Sequence, residues 1–312
     1  MKKSNVRTLI NLVFTVGVVV FFILYASRLD WRNLAGLHIG IDSMLVSLVA
    51  GVLYLFLSAF IWVRMLYRLN PEVRASWDLF AVYAKSWMGR YIPGKVVWIA
   101  GKIHFASRLG IPVSQLGVTS FLEAGVQMAT QMAISLVIVL IDGHFSSLPS
   151  GVRFMTLLAV AGLVLSLLPP VFNSIVNLFL HLMKKTVENN IRITYTAIGE
   201  MAGFYTLGYL LLGITYFFAL RSFIPGLDIS LFAFTTASIS IAGTLGILAL
   251  FAPSGIGVRE GFIVLFLSLA MPVEMAALAA IVLRITTLLM DLGFLCVCLL
   301  GQKLYSRKVA IL

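Results

Sequence analysis

The sequence predicts an all-α polytopic membrane protein, an inverted repeat in which each half has three spans and one re-entrant helical hairpin. Three observations lead to this fold class. Of the 312 residues, 61% are hydrophobic and 11% are charged, and the mean hydropathy is +1.04, which excludes a soluble globular domain. Apolar runs long enough to cross a bilayer recur along the chain. Two further apolar regions are interrupted by proline and glycine at corresponding places in the two halves.

Six uninterrupted apolar runs are predicted to span the membrane, because about 20 residues at ~1.5 Å per residue cross the ~30 Å hydrocarbon core. They lie at roughly 8–26, 43–63, 112–141, 153–172, 200–220 and 273–300. The first is longer than the hydrophobic region of a cleavable signal peptide, so we interpret it as an uncleaved span. The interrupted regions, about 78–107 and 231–270, are each interpreted as a re-entrant hairpin. The alternative is a full crossing by 231–251, so six to eight crossings are expected in all.

Basic residues predict the orientation, since Lys and Arg are enriched in cytoplasmic loops. Eight basic residues lie between positions 64 and 108, against two acidic ones, and further basic residues flank both ends of the chain. The loops near 142–152 and 221–230 are poor in charge and fit the outer side. Both termini are therefore predicted to be cytoplasmic. The halves, approximately 1–148 and 149–312, would form a single membrane domain and run through the bilayer in opposite senses.

The first interruption reads Gly89-Arg90-Tyr91-Ile92-Pro93-Gly94-Lys95. Broken backbone at membrane depth is tolerated only where it is buried in protein or lines a cavity, and paired interruptions indicate a transporter's binding site. Cations beside free backbone N–H groups suit an anionic phosphate, and the candidates are Arg90, Lys95 and Lys102. Tyr91, Pro93 and Gly94 complete this part of the candidate site. The alternative is ordinary cytoplasmic charge with side chains that reach to the membrane surface.

The second interruption reads Pro253-Ser254-Gly255-Ile256-Gly257-Val258-Arg259-Glu260-Gly261. Its glycines permit sharp backbone turns, and Arg259 and Glu260 would supply a charge pair at depth. Ser254, Gly255 and Gly257 are assigned with them to substrate binding. The stretch is not a P-loop, because the Lys-Ser/Thr ending is missing. Because it lies at the position in the second half that corresponds to the first interruption, we assign it a functional role.

Ionisable residues inside spans are costly in lipid and therefore indicate function. Glu123 and Gln127 share one helical face in the run 112–141, and Arg284 and Asp291 share one in the last run. Glu123 and Arg284 follow their respective prolines at nearly the same distance, so a carboxylate and a guanidinium are expected to face a common interior. A structural ion pair between Glu123 and Arg284 is the alternative.

Metal and nucleic-acid chemistry find no support in the sequence. Cys296 and Cys298 lie two residues apart in an apolar run and would point to different sides of a helix. His, Cys, Asp and Glu form no cluster with metal-ligand spacing, so neither a metal nor a cofactor is expected. The net charge of +11 is explained by loop topology and anionic lipid headgroups, and no nucleic-acid partner is expected.

At these residues the chain resembles the transmembrane domain of bacterial lysylphosphatidylglycerol synthases (multiple peptide resistance factors) and the flippase-like integral membrane proteins that share it. The resemblance rests on the motif at 89–95 with Trp98, Gly101 and Lys102, on Glu123, and on the motif at 253–261, and it covers essentially the whole chain. It implies that a lipid, such as an aminoacylated phospholipid or a glycosylated or polyprenyl lipid, moves between leaflets of a bacterial inner membrane. The soluble aminoacyl-transferase domain of the full-length synthases is absent from these residues, so synthase activity is not implied.

The leading hypothesis is a lipid flippase that works by alternating access to a polar cavity between the hairpins. Its phosphate ligands would be Arg90, Lys95, Lys102 and Arg259, while Glu123 and Glu260 would pair with these cations, bind a cationic headgroup or take up a proton. Two alternatives stay open. One is a membrane-embedded transferase with Glu123 or Glu260 as base, and the other is a non-catalytic subunit of an envelope-lipid pathway. The expected partner is a phosphate-bearing membrane lipid, with a second copy of the chain or a lipid-synthesis enzyme as further partners.

Overall fold

The structure is a computed structural model that describes residues 39–73, 76–91, 97–182, 193–248 and 257–309. Within these ranges the regular structure consists of ten α-helices and two 3-10 turns. The helices are α1 (Ile41–Leu69), α2 (Trp77–Trp87), α3 (Val97–Ser107), α4 (Val113–Ile141), α5 (Ser150–Ser166), α6 (Pro169–Leu182), α7 (Tyr195–Arg221), α8 (Leu231–Leu248), α9 (Val258–Leu267) and α10 (Val273–Val309). The 3-10 turns are Met88–Tyr91 and Gly143–Phe145. The span expected at 8–26 lies outside the described residues.

Five of these helices, α1, α4, α7, α8 and α10, are long and apolar enough to cross a membrane. Side chains on the outer faces are strongly apolar, and on α5 Phe154 and Met155 are 61% and 65% exposed. An exposed apolar surface of this kind requires lipid rather than water around it. The chain is therefore an all-α, multi-pass membrane protein, as its composition predicts.

Four expected spans coincide with α1, α4, α7 and α10, but the region 153–172 differs from the expectation. It forms two helices, α5 and α6, whose axes are bent by 80° at the break between them. The break falls where Pro169 and Pro170 enter the sequence. Proline has no backbone N–H and disfavours the helical conformation of the residue before it, so an apolar run alone does not guarantee one continuous helix.

Each interrupted region forms a pair of helices packed side by side, α2 with α3 and α8 with α9. Glycines permit the close approach in the first pair. A Cβ at Gly89 would lie 3.1 Å from backbone atoms of Trp98, and one at Gly101 would lie 3.1 Å from the Ser86 Cβ. The helix α8 has 18 residues, about 27 Å at ~1.5 Å per residue, and so has the length required by the alternative of a full crossing. The re-entrant path of both pairs stays a prediction.

Helices of the two halves pack in matching pairs. The first helix of each interrupted element contacts the last helix of the other half, since α2 packs on α10 and α8 packs on α4. In the same way α3 packs on α4 and α9 on α10, while α1 and α7 pack on each other. A twofold relation between the units α1–α4 and α7–α10 would produce this pattern. Their inverted orientation in the membrane stays a prediction.

Candidate functional site

A cavity of about 210 Å³ lies where the two interrupted elements meet. All eight helices of the two matching units and the 3-10 turn Met88–Tyr91 contribute to its wall, from Tyr54 on α1 to Met290 on α10. Its polar and aromatic lining residues are Tyr54, Trp87, Arg90, Trp98, Gln127, Gln131, Tyr216, Ser240, Thr244, Arg259, Arg284 and Thr287. The sequence-predicted residues Arg90, Gln127, Arg259 and Arg284 are thus brought together, although they come from four separate segments.

Arg90 enters the cavity from the 3-10 turn that follows α2. Its guanidinium lies over the Trp87 ring at 4.9 Å and over the Tyr91 ring at 5.4 Å from the centroids. Its Nη1 lies 3.6 Å from Oδ2 of Asp291. These contacts fix the planar cation at the edge of the first break, in an orientation that a flexible side chain in water would not keep.

Asp291 on α10 serves as the anchor for this turn. Its carboxylate is buried and accepts hydrogen bonds from Trp87 Nε1 at 3.1 Å and from the Tyr91 hydroxyl at 2.5 Å. A buried carboxylate is costly unless several donors and a cation satisfy it, and here it has all of these. Neither Asp291 nor Tyr91 is part of the cavity wall. Both were expected to bind substrate, and the structure instead places them behind Arg90.

The second interrupted element contributes Arg259 at the start of α9. Arg259 Nη2 lies 3.4 Å from Oγ1 of Thr287 on α10, while its Nε is buried with no hydrogen-bond partner among the described residues. The backbone of Gly246 on α8 passes close by, because a Cβ there would lie 2.9 Å from the Arg259 Cβ. Glycine at this position therefore lets α8 and the arginine occupy the same wall.

The expected charge pair between Arg259 and Glu260 is not formed. Glu260 Oε2 accepts the Gly257 backbone N–H at 2.8 Å, which caps the first turn of α9, and Oε1 lies 3.7 Å from Nη1 of Arg284. Gly257 has a φ of 82°, the left-handed conformation that favours glycine. Successive residues of a helix point about 100° apart, so Arg259 faces the cavity while Glu260 faces the helix start and α10.

Glu123 and Lys102 form a second polar centre, which is separate from the cavity. The Lys102 Nζ contacts Oε2 of Glu123, and both side chains are fully buried. The Tyr83 hydroxyl donates to Oε1 of Glu123 at 2.6 Å, and the Lys102 Nζ lies 4.0 Å from the centroid of the Tyr83 ring and 4.9 Å from that of Trp98. The centre joins α2, α3 and α4, and neither Glu123 nor Lys102 lines the cavity.

Two expectations are corrected by this centre. Glu123 does not share an interior with Arg284, and the ion pair considered between them is replaced by Glu123 with Lys102 and Arg284 with Glu260. The physical reason is proximity: α3 packs directly on α4, so the nearest buried cation to Glu123 comes from its own half. Lys102, expected to hold a phosphate, already has a buried carboxylate as its partner.

Sequence reasoning missed two aromatic residues of the wall, Trp87 and Tyr54. Trp87 stands two residues before the first motif, and Tyr54 lies in the middle of the apolar run of α1. Tyr54 organises the α4 face, because its hydroxyl accepts from Gln127 Nε2 at 2.5 Å and from Gln131 Nε2 at 3.3 Å. A phenol in the middle of an apolar run is the signal that could have found it. The remaining assigned residues, Pro93, Gly94, Lys95, Ser254 and Gly255, lie outside the described residues.

Comparison with known proteins identifies the family. No curated protein and no solved structure matches the chain. A family model described as the lysylphosphatidylglycerol synthase TM region matches residues 9–294. The matched range contains α1 to α9, most of α10, and hence the entire wall of the cavity. The chain therefore belongs to the lysylphosphatidylglycerol synthase TM region family.

Proposed function

We propose that the protein moves a phosphate-bearing lipid between the two leaflets of a membrane by alternating access to the cavity. One observation carries the proposal: Arg90, Arg259 and Arg284 line a single cavity inside a multi-pass membrane protein. Membership of a family described by the membrane region of a lipid synthase supports a role in membrane-lipid biology. A bacterial inner membrane with both termini in the cytoplasm is part of the same proposal.

The charge balance of the wall suits one anion. Arg90 pairs with Asp291 and Arg284 pairs with Glu260, whereas Arg259 has no carboxylate within 4.0 Å among the described residues. The three guanidiniums and two carboxylates leave an excess of one positive charge, which a phosphodiester with one negative charge would neutralise. Guanidinium also matches phosphate geometrically, because it can donate two parallel hydrogen bonds.

The size of the cavity fits a headgroup rather than a whole lipid. A volume of about 210 Å³ is below the roughly 300–1,000 Å³ of pockets that enclose drug-sized ligands. The lipid chains would therefore stay in the bilayer, beside the exposed apolar faces of the helices. The helix packing supports alternation, because matching units around a central site can rock against each other and expose it to either side.

Neither carboxylate considered as a catalytic base faces the cavity. Glu123 is held by Lys102 and Tyr83, and Glu260 caps α9 and pairs with Arg284. A transferase would need a base in contact with its substrate. The arrangement therefore favours transport over transfer chemistry.

The test is lipid transfer in proteoliposomes, followed by chemical quenching of a fluorescent phospholipid in the outer leaflet. We expect the wild-type protein to expose inner-leaflet lipid to the quencher and the Arg90→Ala/Arg259→Ala variant to lose this activity. Arg221→Ala is the matched control, because Arg221 is exposed at the end of α7 and is not part of the wall. Equal transfer by the wild type and the double variant would reject the site.

A further inference from the structure

The proposed function does not specify which lipid headgroup is moved. The residues that line the cavity favour one chemical class of headgroup. Resting on that function, we infer that the protein selects lipids whose headgroup joins an anionic phosphate to an uncharged, hydroxyl-bearing group, and discriminates against headgroups that carry an amine. Phosphatidylglycerol and phosphatidylinositol belong to the favoured class. Lysylphosphatidylglycerol, the lipid in the family description, belongs to the disfavoured one.

The charge of the cavity lining disfavours an amine. In the described part of the chain, no carboxylate lines the cavity, while three arginines do. Residues 92–96 and 249–256, which lie outside the described ranges, contain one lysine and no Asp or Glu in their sequence. Asp291 and Glu260, the carboxylates that pair with Arg90 and Arg284, are not part of the lining and accept hydrogen bonds from other groups. An ammonium group entering this space would meet like charge and find no anion to pair with.

The wall formed by α4 and α8 offers uncharged hydrogen-bonding groups. Gln127 and Gln131 on α4 donate their amide N–H groups to the Tyr54 hydroxyl, and neither amide oxygen accepts a hydrogen bond from the described residues. Ser240 and Thr244 on α8 add two hydroxyl groups to the lining. Amide oxygens and hydroxyls that carry no charge are suited to the O–H groups of a glycerol or an inositol.

The arginines and the glutamines belong to different elements, so the lining has two parts of different chemistry. The arginines come from the turn after α2 and from α9 and α10, whereas the glutamines come from α4. A headgroup with phosphate at one end and hydroxyls at the other would satisfy both walls at once. Phosphate alone would leave the two amide oxygens of the lining without donors from the headgroup, which a selective site avoids.

The test compares four fluorescent lipids in vesicles of phosphatidylcholine that contain the purified full chain. We expect phosphatidylglycerol and phosphatidylinositol to cross at least tenfold faster than phosphatidylethanolamine and lysylphosphatidylglycerol. Equal or faster transfer of lysylphosphatidylglycerol overturns the inference and leaves the flippase standing. If none of the four lipids crosses, the proposed function itself fails, and the inference fails with it.

A variant that transfers one lipid faster than the wild type must be folded, so a gain of activity tests the inference independently of stability. Gln131→Glu places a carboxylate on the uncharged wall, so it should raise transfer of lysylphosphatidylglycerol severalfold and lower that of phosphatidylglycerol. Gln127→Leu should slow phosphatidylinositol more than it slows phosphatidic acid, which has no hydroxyl-bearing group beyond its phosphate. If Gln131→Glu leaves the preference between phosphatidylglycerol and lysylphosphatidylglycerol unchanged, the glutamine wall does not contact the headgroup. Equal slowing of phosphatidylinositol and phosphatidic acid by Gln127→Leu would also contradict that contact.

Discussion

Replacing Arg259 by alanine should abolish most lipid transfer while leaving the fold almost intact. In the described structure this side chain makes one long hydrogen bond, 3.4 Å from its Nη2 to the Thr287 hydroxyl, and has no carboxylate within 4.0 Å. Its removal therefore strands no buried anion. The lost hydrogen bond from the Arg259 guanidinium to the Thr287 hydroxyl is long and therefore weak, so its loss should cost about 1 kcal/mol of the free energy of unfolding.

The free energy that Arg259 contributes to phosphate binding should exceed the free energy that it contributes to folding. A hydrogen bond to a charged group contributes about 1.5–3 kcal/mol, and about 1.4 kcal/mol corresponds to a factor of ten. Removing the guanidinium from a bound phosphate should thus lower the transfer rate roughly 10- to 100-fold. Arg259→Lys keeps the charge but loses the paired donors, so its rate should be intermediate.

The assay measures the rate at which fluorescent phosphatidylglycerol reaches the outer leaflet, with thermal unfolding in detergent recorded for the same preparations. Arg221→Ala serves as the exposed control. A transfer rate of Arg259→Ala within twofold of wild type, in a folded protein, would refute the assignment of this side chain to the lipid phosphate. A large fall in unfolding temperature would instead show that Arg259 is needed for the fold.

Three further changes test the packing and the charge around the site. Lys102→Met leaves the buried Glu123 without its cation and should lower the free energy of unfolding, measured by chemical denaturation, by about 3–5 kcal/mol. The double variant Lys102→Met/Glu123→Leu should recover most of this loss. Gly89→Ala forces apart two backbones and should lower stability by about 1–3 kcal/mol, while Gly117→Ala, in open space, should have little effect on the unfolding temperature. Glu260→Gln keeps the cap of α9 but removes a negative charge, so anionic lipid should bind more tightly and leave more slowly in a binding assay.

The location of the site could be predicted from the sequence because it depends on local chemistry. Proline and glycine interrupt a helix wherever they occur, and a cation beside such an interruption in apolar sequence has few explanations. Arg90 and Arg259 stand beside the two interruptions, and the structure places both on the wall of one cavity. Four of the six expected spans also match single helices.

The partners of the charged residues could not be predicted, because helical periodicity gives the face of a helix but not the neighbour that the face meets. Glu123 and Asp291 were correctly expected to point inward, and both are buried. Their cations, Lys102 and Arg90, are decided by which helices pack together. That choice depends on close contacts such as the one at Gly101, which a sequence pattern does not reveal.

The chemistry of the cavity follows from a difference between two equivalent positions. Glu123 and Arg284 lie at nearly the same distance from the starts of α4 and α10, at Val113 and Val273, so the matching packing of the halves gives them similar places. In the first half, Lys102 on α3 reaches Glu123 and removes its charge from the cavity. The second half has the apolar Ile263 where such a lysine would be needed on α9, and Arg284 stays on the wall. The excess positive charge thus depends on Glu123 being sequestered, and any motion that separated it from Lys102 would expose a carboxylate and weaken the hold on a phosphate.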